Sequence, residues 1–500
     1  MTVHRPPSAP LSAALLRHAA PAAPAVQGDT LQLSAAQLGW RVERAAARLH
    51  ASWRLQPGDR VAYLGANEPD FITLLLACAE TGVIAAPLNV RLAPPEWRAV
   101  LGDCTPRLLL HDAAHATAAQ ALAAAGGPPA QPLSSLIATP APPLDLPAAA
   151  ADAPVLLVYT SGTTGRPKGA LHTQANLLAN IDAAVAAQQL GAHDRVLTCL
   201  PLFHVGGLCI QTLPALSVGA AVRLHARFDA AAWLRDVQQW RPTLSLLVPA
   251  VMRALVTHPA WASADLSSLR AVWAGSSPLP PDLIDAFHAR GVSVCNVYGA
   301  TETGPFSIAL GAGHARTHVG SCGWPALKVE VQLHDAAAPA AASAPVGEVW
   351  LRAPHVVQRY WPSTPSCDAS GWFHTGDVAE RAADGSYRVV GRVKDMIISG
   401  GENIYPAEIE HVIAAHPDVA EVAVLGIPDP QWGEVALACV VRRPGAALDE
   451  AALRSALQAS LQARLARYKQ PRQWLFIDAL PKTALGKVRK DALRVLVSTS

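Results

Sequence analysis

The sequence predicts an α/β multidomain fold, with large parallel sheets covered by helices and a small α+β domain at the C-terminal end. Three observations carry this. Short apolar runs alternate with helical patterns through most of the chain, the signature of buried parallel sheets. Roughly the last hundred residues change texture, setting strands around a leucine-striped helix as a separate unit. The 500 residues also suffice for about two to four domains and a large core.

Taken in order, Ser34-Ala-Ala-Gln37 reads as a capping box that opens a helix bearing Leu38, Val42, Ala45 and Leu49 at helical spacing. Pro57-Gly58-Asp59 turns into an apolar strand, Val61-Ala-Tyr-Leu64. A second helical stretch, Ile72 to Ala79, leads to the strand-like Gly82-Val-Ile-Ala-Ala86. Residues 121–153 are dominated by alanine and proline and read as a surface connection rather than a core element. Next come the apolar run Val155-Leu-Leu-Val158, a glycine-rich segment and a helical pattern from Asn176, giving strand, flexible loop, helix. Ala336 to Pro345 reads as a loop between strands Val329–Leu333 and Gly347–Leu351. In the last part Val419–Leu425, Val435–Val441 and Trp474–Ile477 read as strands, and Leu453, Leu457, Leu461 and Leu465 stripe one helix. The boundary is expected near Gly391–Asp395, dividing the chain into 1–393 and 394–500. No internal repeat of fixed period is present.

Composition narrows the function. Hydrophobic residues make up 51%, but alanine supplies much of this, and no uninterrupted apolar stretch of about 18 residues exists to span a membrane. The start, Met1-Thr-Val-His-Arg-Pro-Pro, lacks the pattern of a secretory signal. With 40 basic and 38 acidic residues the formal charge is +2, which gives no electrostatic case for nucleic acid. Eight cysteines are scattered, none as Cys-x-x-Cys, and most sit in apolar runs. They read as buried, reduced thiols in a cytoplasmic protein rather than a metal or disulfide framework.

The most informative stretch is Tyr159-Thr-Ser-Gly-Thr-Thr-Gly-Arg-Pro-Lys-Gly169. Its glycines let backbone N–H groups converge on an anion, its hydroxyls donate further hydrogen bonds, and Lys168 adds a point charge. The loop suits a polyphosphate, although it is not the Gly-x-x-x-x-Gly-Lys-Ser/Thr loop, since Lys168 follows a proline and precedes Gly169. Five further stretches sit in loop-like settings: Pro201-Leu-Phe-His-Val-Gly-Gly207, Asn296-Val-Tyr-Gly-Ala-Thr-Glu-Thr-Gly304, Gly371-Trp-Phe-His-Thr-Gly-Asp377, Gly391-Arg392 through Gly400-Gly-Glu-Asn-Ile-Tyr405, and Pro481-Lys-Thr-Ala-Leu-Gly-Lys487. Alone, His204 reads as a packed histidine, Asp377 as a turn cap, and Glu302 and Lys487 as solvated charges. Their joint occurrence in this order is what counts.

In that order, from about residue 30 to about residue 490, the six stretches resemble the adenylate-forming enzymes: acyl- and aryl-CoA ligases, amino-acid adenylation domains and firefly luciferase. The resemblance implies a large N-terminal domain of stacked α/β subdomains with a distorted β-barrel, and a small mobile C-terminal domain. It implies ATP, Mg²⁺ and coenzyme A alongside a small carboxylic acid, and two half-reactions. The carboxylate attacks the α-phosphate of ATP to give an acyl-adenylate and pyrophosphate, and a thiol then displaces AMP. On this reading Thr160, Ser161, Gly162, Thr163, Thr164, Gly165 and Lys168 hold the β- and γ-phosphates. Tyr298 stacks on adenine, with Gly275, Ser276, Ser277, Asn296 and Gly299 also at the nucleotide. Asp377 takes the ribose hydroxyls beside Arg392, and Glu302 helps hold Mg²⁺. The implied catalytic residues are Lys487, Thr301 and His204, with Lys487 bridging the incoming carboxylate and the α-phosphate. Lys394 sits at the family's hinge, and Gly400, Gly401 and Glu402 lie on the loop that meets the pantetheine arm.

Within this superfamily the sequence favours a CoA ligase over loading of a carrier-protein thiol. No aspartate lies near Phe203-His204 to pair with an amino-acid ammonium, and no carrier domain follows Ser500. By resemblance the acyl pocket is lined by His204, Trp273 to Ser277, Val297 and Ala300. Ser276 and Ser277 either receive a phenolic hydroxyl or bond adenine. Aromatic or phenylpropenoid acids are preferred narrowly over medium- or long-chain fatty acids. A luciferase-like oxygenase and an inactive binding protein are the other classes on this fold, and the retained Lys168, Glu302 and Lys487 speak against the second. A homodimer is compatible with the sequence.

Overall fold

The computed structural model describes residues 10–138, 149–161, 167–275, 279–334, 345–399, 402–430, 432–465, 467–482 and 487–498. Among them two large sheets lie in layers. A nine-stranded sheet runs, edge to edge, through Trp324–Pro325, Ile308–Leu310, Ser293–Tyr298, Ala271–Gly275, Leu244–Leu247, Arg195–Thr198, Ala221–Leu224, Pro24–Gln27 and Gln32–Ser34. Its six central strands, Ser293–Tyr298 to Pro24–Gln27, pair in parallel. An eight-stranded sheet runs through Thr364–Pro365, Arg359–Tyr360, Pro167–Thr173, Pro154–Ser161, Ile84–Pro87, Arg60–Leu64, Leu108–His111 and Ala130–Pro132.

Alternation along the strands assigns each face its own core. Val61 and Tyr63 join Val196, Ala271 and Trp273 in one interior shared by both sheets. Ala62 and Leu64 point instead to a cluster under helices Pro94–Cys104 and Ala116–Ala124. Leu197, Val272 and Ala274 point to a third, under helices Ala230–Gln239, Pro249–Val256 and Pro281–Ala289. The order is therefore helix, sheet, helix, sheet, helix. Two central helices follow the sequence closely. Ala35–Ala47 starts at the expected Ser34/Gln37 capping box. Pro69–Thr81 buries every residue but Glu80, because it has a sheet on either side; an all-round apolar helix belongs in such a place.

A four-stranded antiparallel sheet follows: Glu330–His334, Val346–Arg352, Phe373–Arg381 and Tyr387–Arg392. It stands where a distorted barrel is implied, and its edge strands do not pair with each other among the described residues. The expected loop at 336–345 falls almost wholly outside the described residues. After Arg392 a 3₁₀ turn, Val393–Asp395, leads into the last sheet, made of Glu402–Ile404, Ile397–Ser399, Gly433–Arg442, Val419–Asp429 and Gln473–Phe476. Leu453, Leu457 and Leu461 of helix Glu450–Arg464 fill one face of it, as their spacing predicts.

Two expectations need correction. The glycine-rich segment does not lead straight to a helix: Pro167–Thr173 is a strand, antiparallel to Pro154–Ser161, and the helix Gln174–Gln188 follows it. Ala170, Leu171 and His172 are all buried, so the strand shows no in–out alternation to betray it. Residues 121–153 are also not merely a connection. Ala130–Pro132 is the parallel edge strand beside Leu108–His111, and Leu133 and Leu136 sit in the shared interior. Of this stretch, 139–148 lie outside the described residues. All eight cysteines are free, and only Cys367 is not buried. No described helix is long and apolar enough to cross a membrane.

Candidate active site

Several of the predicted residues come together where the strand Ser293–Tyr298, the antiparallel sheet and the C-terminal segment approach one another. The strand Ser293–Tyr298 delivers Asn296 and Tyr298, and a tight turn then carries Gly299, Thr301 and Glu302. Ala300 N–H donates to Thr303 Oγ1 at 2.8 Å and Thr303 N–H to Ala300 O at 3.1 Å, which fixes the turn. Gly299 is required there by space, since a Cβ would lie 1.9 Å from the Pro305 carbonyl oxygen. Gly275 ends the neighbouring strand under the same constraint, with Val297 O 2.4 Å from where its Cβ would be.

Asp377 approaches from the antiparallel sheet. Its strand pairing slips by one residue between Val378 and Ala379, a bulge of the kind that re-aims side chains beside functional sites. Gly376 takes φ +68°, Asp377 N–H donates to Thr375 Oγ1 at 3.0 Å, and Thr375 Oγ1 donates to Val349 O at 2.7 Å. The carboxylate so placed accepts from Tyr298 Oη at 2.9 Å and from Arg392 Nε at 2.7 Å. Burial, reinforced by the Asp377 charge, drives the Tyr298 phenol well above its ordinary pKa, so it stays a neutral donor.

Lys487 arrives from the far end of the sequence. Its ammonium is pushed below the ordinary lysine value, first by desolvation and then by the cations of Arg392 and Lys394, against the pull of Asp377 and Glu302. His204, next to Phe203 at 4.6 Å between ring centroids, is lowered to about 4 by burial and by the charges of Arg91 and Lys487. Its Nε2 is shut off from solvent without a hydrogen-bond partner among the described residues. Five groups predicted far apart in sequence, His204, Glu302, Asp377, Arg392 and Lys487, thus share one electrostatic neighbourhood.

Other predicted residues are placed differently. Asn296 donates its amide to Ser321 O at 3.0 Å, so part of its capacity serves the fold. Thr160 Oγ1 donates to Lys168 O at 3.4 Å across the hairpin. Lys394 is exposed on the Val393–Asp395 turn. Ser161 ends one strand and Glu402 begins another. Gly162, Thr163, Thr164, Gly165, Ser276, Ser277, Gly400 and Gly401 lie outside the described residues.

Two residues escaped sequence reasoning. Tyr360 donates its hydroxyl to Glu302 Oε1 at 2.9 Å, while Lys168 Nζ stands 5.4 Å from its ring centroid. Its neighbours staple the hairpin to the turn: Trp361 N–H donates to Gly169 O at 2.7 Å and Val357 N–H to Glu302 O at 2.8 Å. The only signal was the aromatic pair Tyr360-Trp361 in a polar stretch. The second is Arg91, in the segment after strand Ile84–Pro87, whose charge reaches His204.

Glu302 bears on the metal question. Its Oε1 accepts from a phenol rather than from a cation, which leaves no hydrogen-bonded side-chain cation competing with a hard ion for it among the described residues. One carboxylate is a sufficient protein contribution for Mg²⁺, which retains waters and takes phosphate oxygens. The residues present fit that ion.

Comparison with known proteins agrees along the whole length. The model of the AMP-binding enzyme family matches residues 16–361, and that of the AMP-binding enzyme C-terminal domain matches 408–487. The chain is 44% identical to the indoleacetate–CoA ligase of Aromatoleum aromaticum, over 96% of this chain and 97% of that one. It is 42% identical to a feruloyl-CoA synthase of an Amycolatopsis species, over 95% and 96% respectively. Its fold is similar to that of the anthranilate CoA ligase AuaEII in complex with anthranoyl-AMP, with a TM-score of 0.89, 26% identity and 99% of each chain covered.

Proposed function

The chain belongs to the AMP-binding enzyme family, and from that premise we propose that it is an ATP-dependent carboxylate–CoA ligase acting through an acyl-adenylate. The observation that supports the reading is the hydrogen-bonded set Tyr298, Asp377 and Arg392, with Lys487 near enough to feel the charges of Asp377, Glu302 and Arg392. In the first half-reaction an oxygen of the acid attacks the α-phosphorus of ATP and the bond to the β-phosphate oxygen breaks, releasing pyrophosphate. In the second the CoA sulfur forms the thioester and AMP leaves with the electron pair of the broken acyl–oxygen bond.

Each residue has a task that suits its type. Lys487 holds the acid's carboxylate against the α-phosphate and offsets the charge that builds there. Thr301 donates to the same phosphate. Asp377 accepts from the ribose hydroxyls, its orientation set by Tyr298 and Arg392. Lys168 and the Thr160–Gly165 loop hold the departing pyrophosphate. Bound Mg²⁺ would neutralise phosphate charge, and Glu302, braced by Tyr360, would hold it. Asn296, Gly275, Ser276, Ser277 and Gly299 surround the adenine, and His204 walls the acyl side. We place the division between domains at Lys394, where rotation would withdraw Lys487 and present Gly400, Gly401 and Glu402 to the thiol.

Aryl acids are the proposed substrate class. By the resemblance the acyl group lies beside Trp273, which is 1% exposed and 5.5 Å from Phe306 between ring centroids, and so bulky a neighbour suits a flat ring better than a long chain. The named relatives act on aryl acids, which supports the same choice. The test is pyrophosphate release over a panel of indole-, cinnamate- and fatty-type acids, with and without free CoA. Aryl acids should exceed fatty acids at least tenfold in kcat/KM, with AMP formation supported by CoA alone. A requirement for a carrier protein would replace this reading with carrier loading.

Tyr360→Phe probes the brace on Glu302. Loss of a hydrogen bond to a charged group costs about 1.5–3 kcal/mol, so kcat/KM for ATP should fall about tenfold or more. The effect should shrink as Mg²⁺ is raised, while the KM for the acid stays put.

A further inference from the structure

The segment that delivers Lys487 is closed on itself at its base. Lys482 and Val488 form an antiparallel bridge, and Arg489 N–H donates to Pro481 O at 2.8 Å. The incoming arm is pinned to strand Val419–Asp429 by Lys482, whose Nζ is 2.7 Å from Glu421 Oε2. The outgoing arm runs into helix Lys490–Ser498, where a further lysine stands three residues beyond Lys487. The ligase chemistry above gives that residue, Lys490, no task.

Lys490 Nζ is 3.6 Å from Asp395 Oδ2 and 3.6 Å from Glu410 Oε1, and all three side chains are partly buried. Asp395 belongs to the turn Val393–Asp395 and Glu410 to helix Pro406–Ala414, so one ammonium ties three elements together. Glu410 is itself fixed, since its Oε1 also accepts from Val424 N–H at 2.8 Å. The place is unfavourable for a cation on its own: Lys490 begins its helix and stands at the positive end of the backbone dipole. The carboxylate nearest in sequence, Asp491, is taken by Arg489 Nη2 at 3.1 Å. Asp395 and Glu410 supply the compensating charge.

The contact with Asp395 bears on the site. The turn that carries Asp395 also carries Lys394, whose charge reaches Lys487. Three residues of chain span at most about 10 Å, so holding Lys490 against that turn restricts where Lys487 can stand. Partly exposed pairs of this kind add little to folding stability, yet a group that must meet developing charge loses rate when it is misplaced by about 1 Å. We propose that Lys490 is a positioning residue for adenylate formation: paired with Asp395 and Glu410, it holds the outgoing arm of the lysine segment against the turn and so sets the place of the Lys487 ammonium. This role rests on the part given to Lys487 in the first half-reaction.

Lys490→Met keeps the length of the side chain and removes its charge. In the full chain, kcat for pyrophosphate exchange should fall about tenfold with the KM for ATP unchanged, as expected for a reacting group held out of place. Thioester formation from a supplied adenylate and the melting temperature should stay at wild type. Lys490→Arg, which keeps the cation, should restore most of the rate. In a Lys487→Ala background Lys490→Met should cost nothing further, because it acts only through that residue. The alkaline limb of adenylation should not move, since loss of a nearby charge, as distinct from loss of position, would raise the Lys487 pKa and shift the limb upward. An unchanged rate, an upward shift of that limb, additive loss in the double variant, or equal loss in both half-reactions with a lower melting temperature would each overturn the proposal. If Lys487→Ala itself left adenylation intact, the reading of Lys487 would fail as well, whereas a harmless Lys490→Met beside a crippled Lys487→Ala would remove only the role of Lys490.

Discussion

Lys487→Ala should lower the rate of adenylate formation by about a hundred- to a thousandfold, the usual cost of removing one group aimed at developing charge. Conversion of a supplied acyl-adenylate to the thioester should stay within a few-fold of wild type, because Lys487 is assigned no part in that step. Pyrophosphate exchange measures the first and thioester formation from synthetic adenylate the second. Equal loss in both would remove the assignment. The same residue predicts the alkaline limb. Only the ammonium form can hold a carboxylate, and desolvation with Arg392 and Lys394 nearby lowers its pKa, so adenylation should decline at a pH below that of an ordinary lysine. Arg392→Ala removes one of the opposing cations and should move that limb upward.

Gly299→Ala should be nearly as damaging, for a different reason. The new methyl would have to occupy space 1.9 Å from the carbonyl oxygen of Pro305 and 2.5 Å from its carbon, and backbone on both sides leaves no flexible end to give way. Forcing atoms into a packed site costs about 1–3 kcal/mol, which should appear as a fall in melting temperature. Activity should suffer more than stability. Tyr298 precedes this position and Thr301-Glu302 follow it, and a misplacement of about 1 Å can cost about a hundredfold in rate. A variant with wild-type melting temperature and kinetics would show that the turn relaxes freely.

How much was legible depended on whether the determinants were local. The Ser34/Gln37 box and the leucines of Glu450–Arg464 are read within one helical turn, and the structure has them where the sequence put them. Strand Pro167–Thr173 was missed because both its faces are covered, which erases the alternation that marks a strand. The alanine–proline stretch misled because composition ignores pairing: Ala130–Pro132 is a strand through its neighbour Leu108–His111, not through its own propensity. At the site, motifs that carry their own turn, such as Thr375-Gly-Asp377, could be read directly. Tyr360 could not, because its partner Glu302 is 58 residues away and only the folded chain brings them together.

Helix Pro69–Thr81 has a consequence for how this molecule comes apart. It shows solvent almost nothing, and its side chains belong to an interior that the two large sheets own jointly. Neither sheet can part from the other without wetting that helix, at a cost of about 1.5–3 kcal/mol for each large apolar side chain. There is accordingly no stable half-molecule between the native state and loss of both sheets. Heat or denaturant should meet them as one cooperative body, and a cut anywhere in that helix should undo both sheets at once.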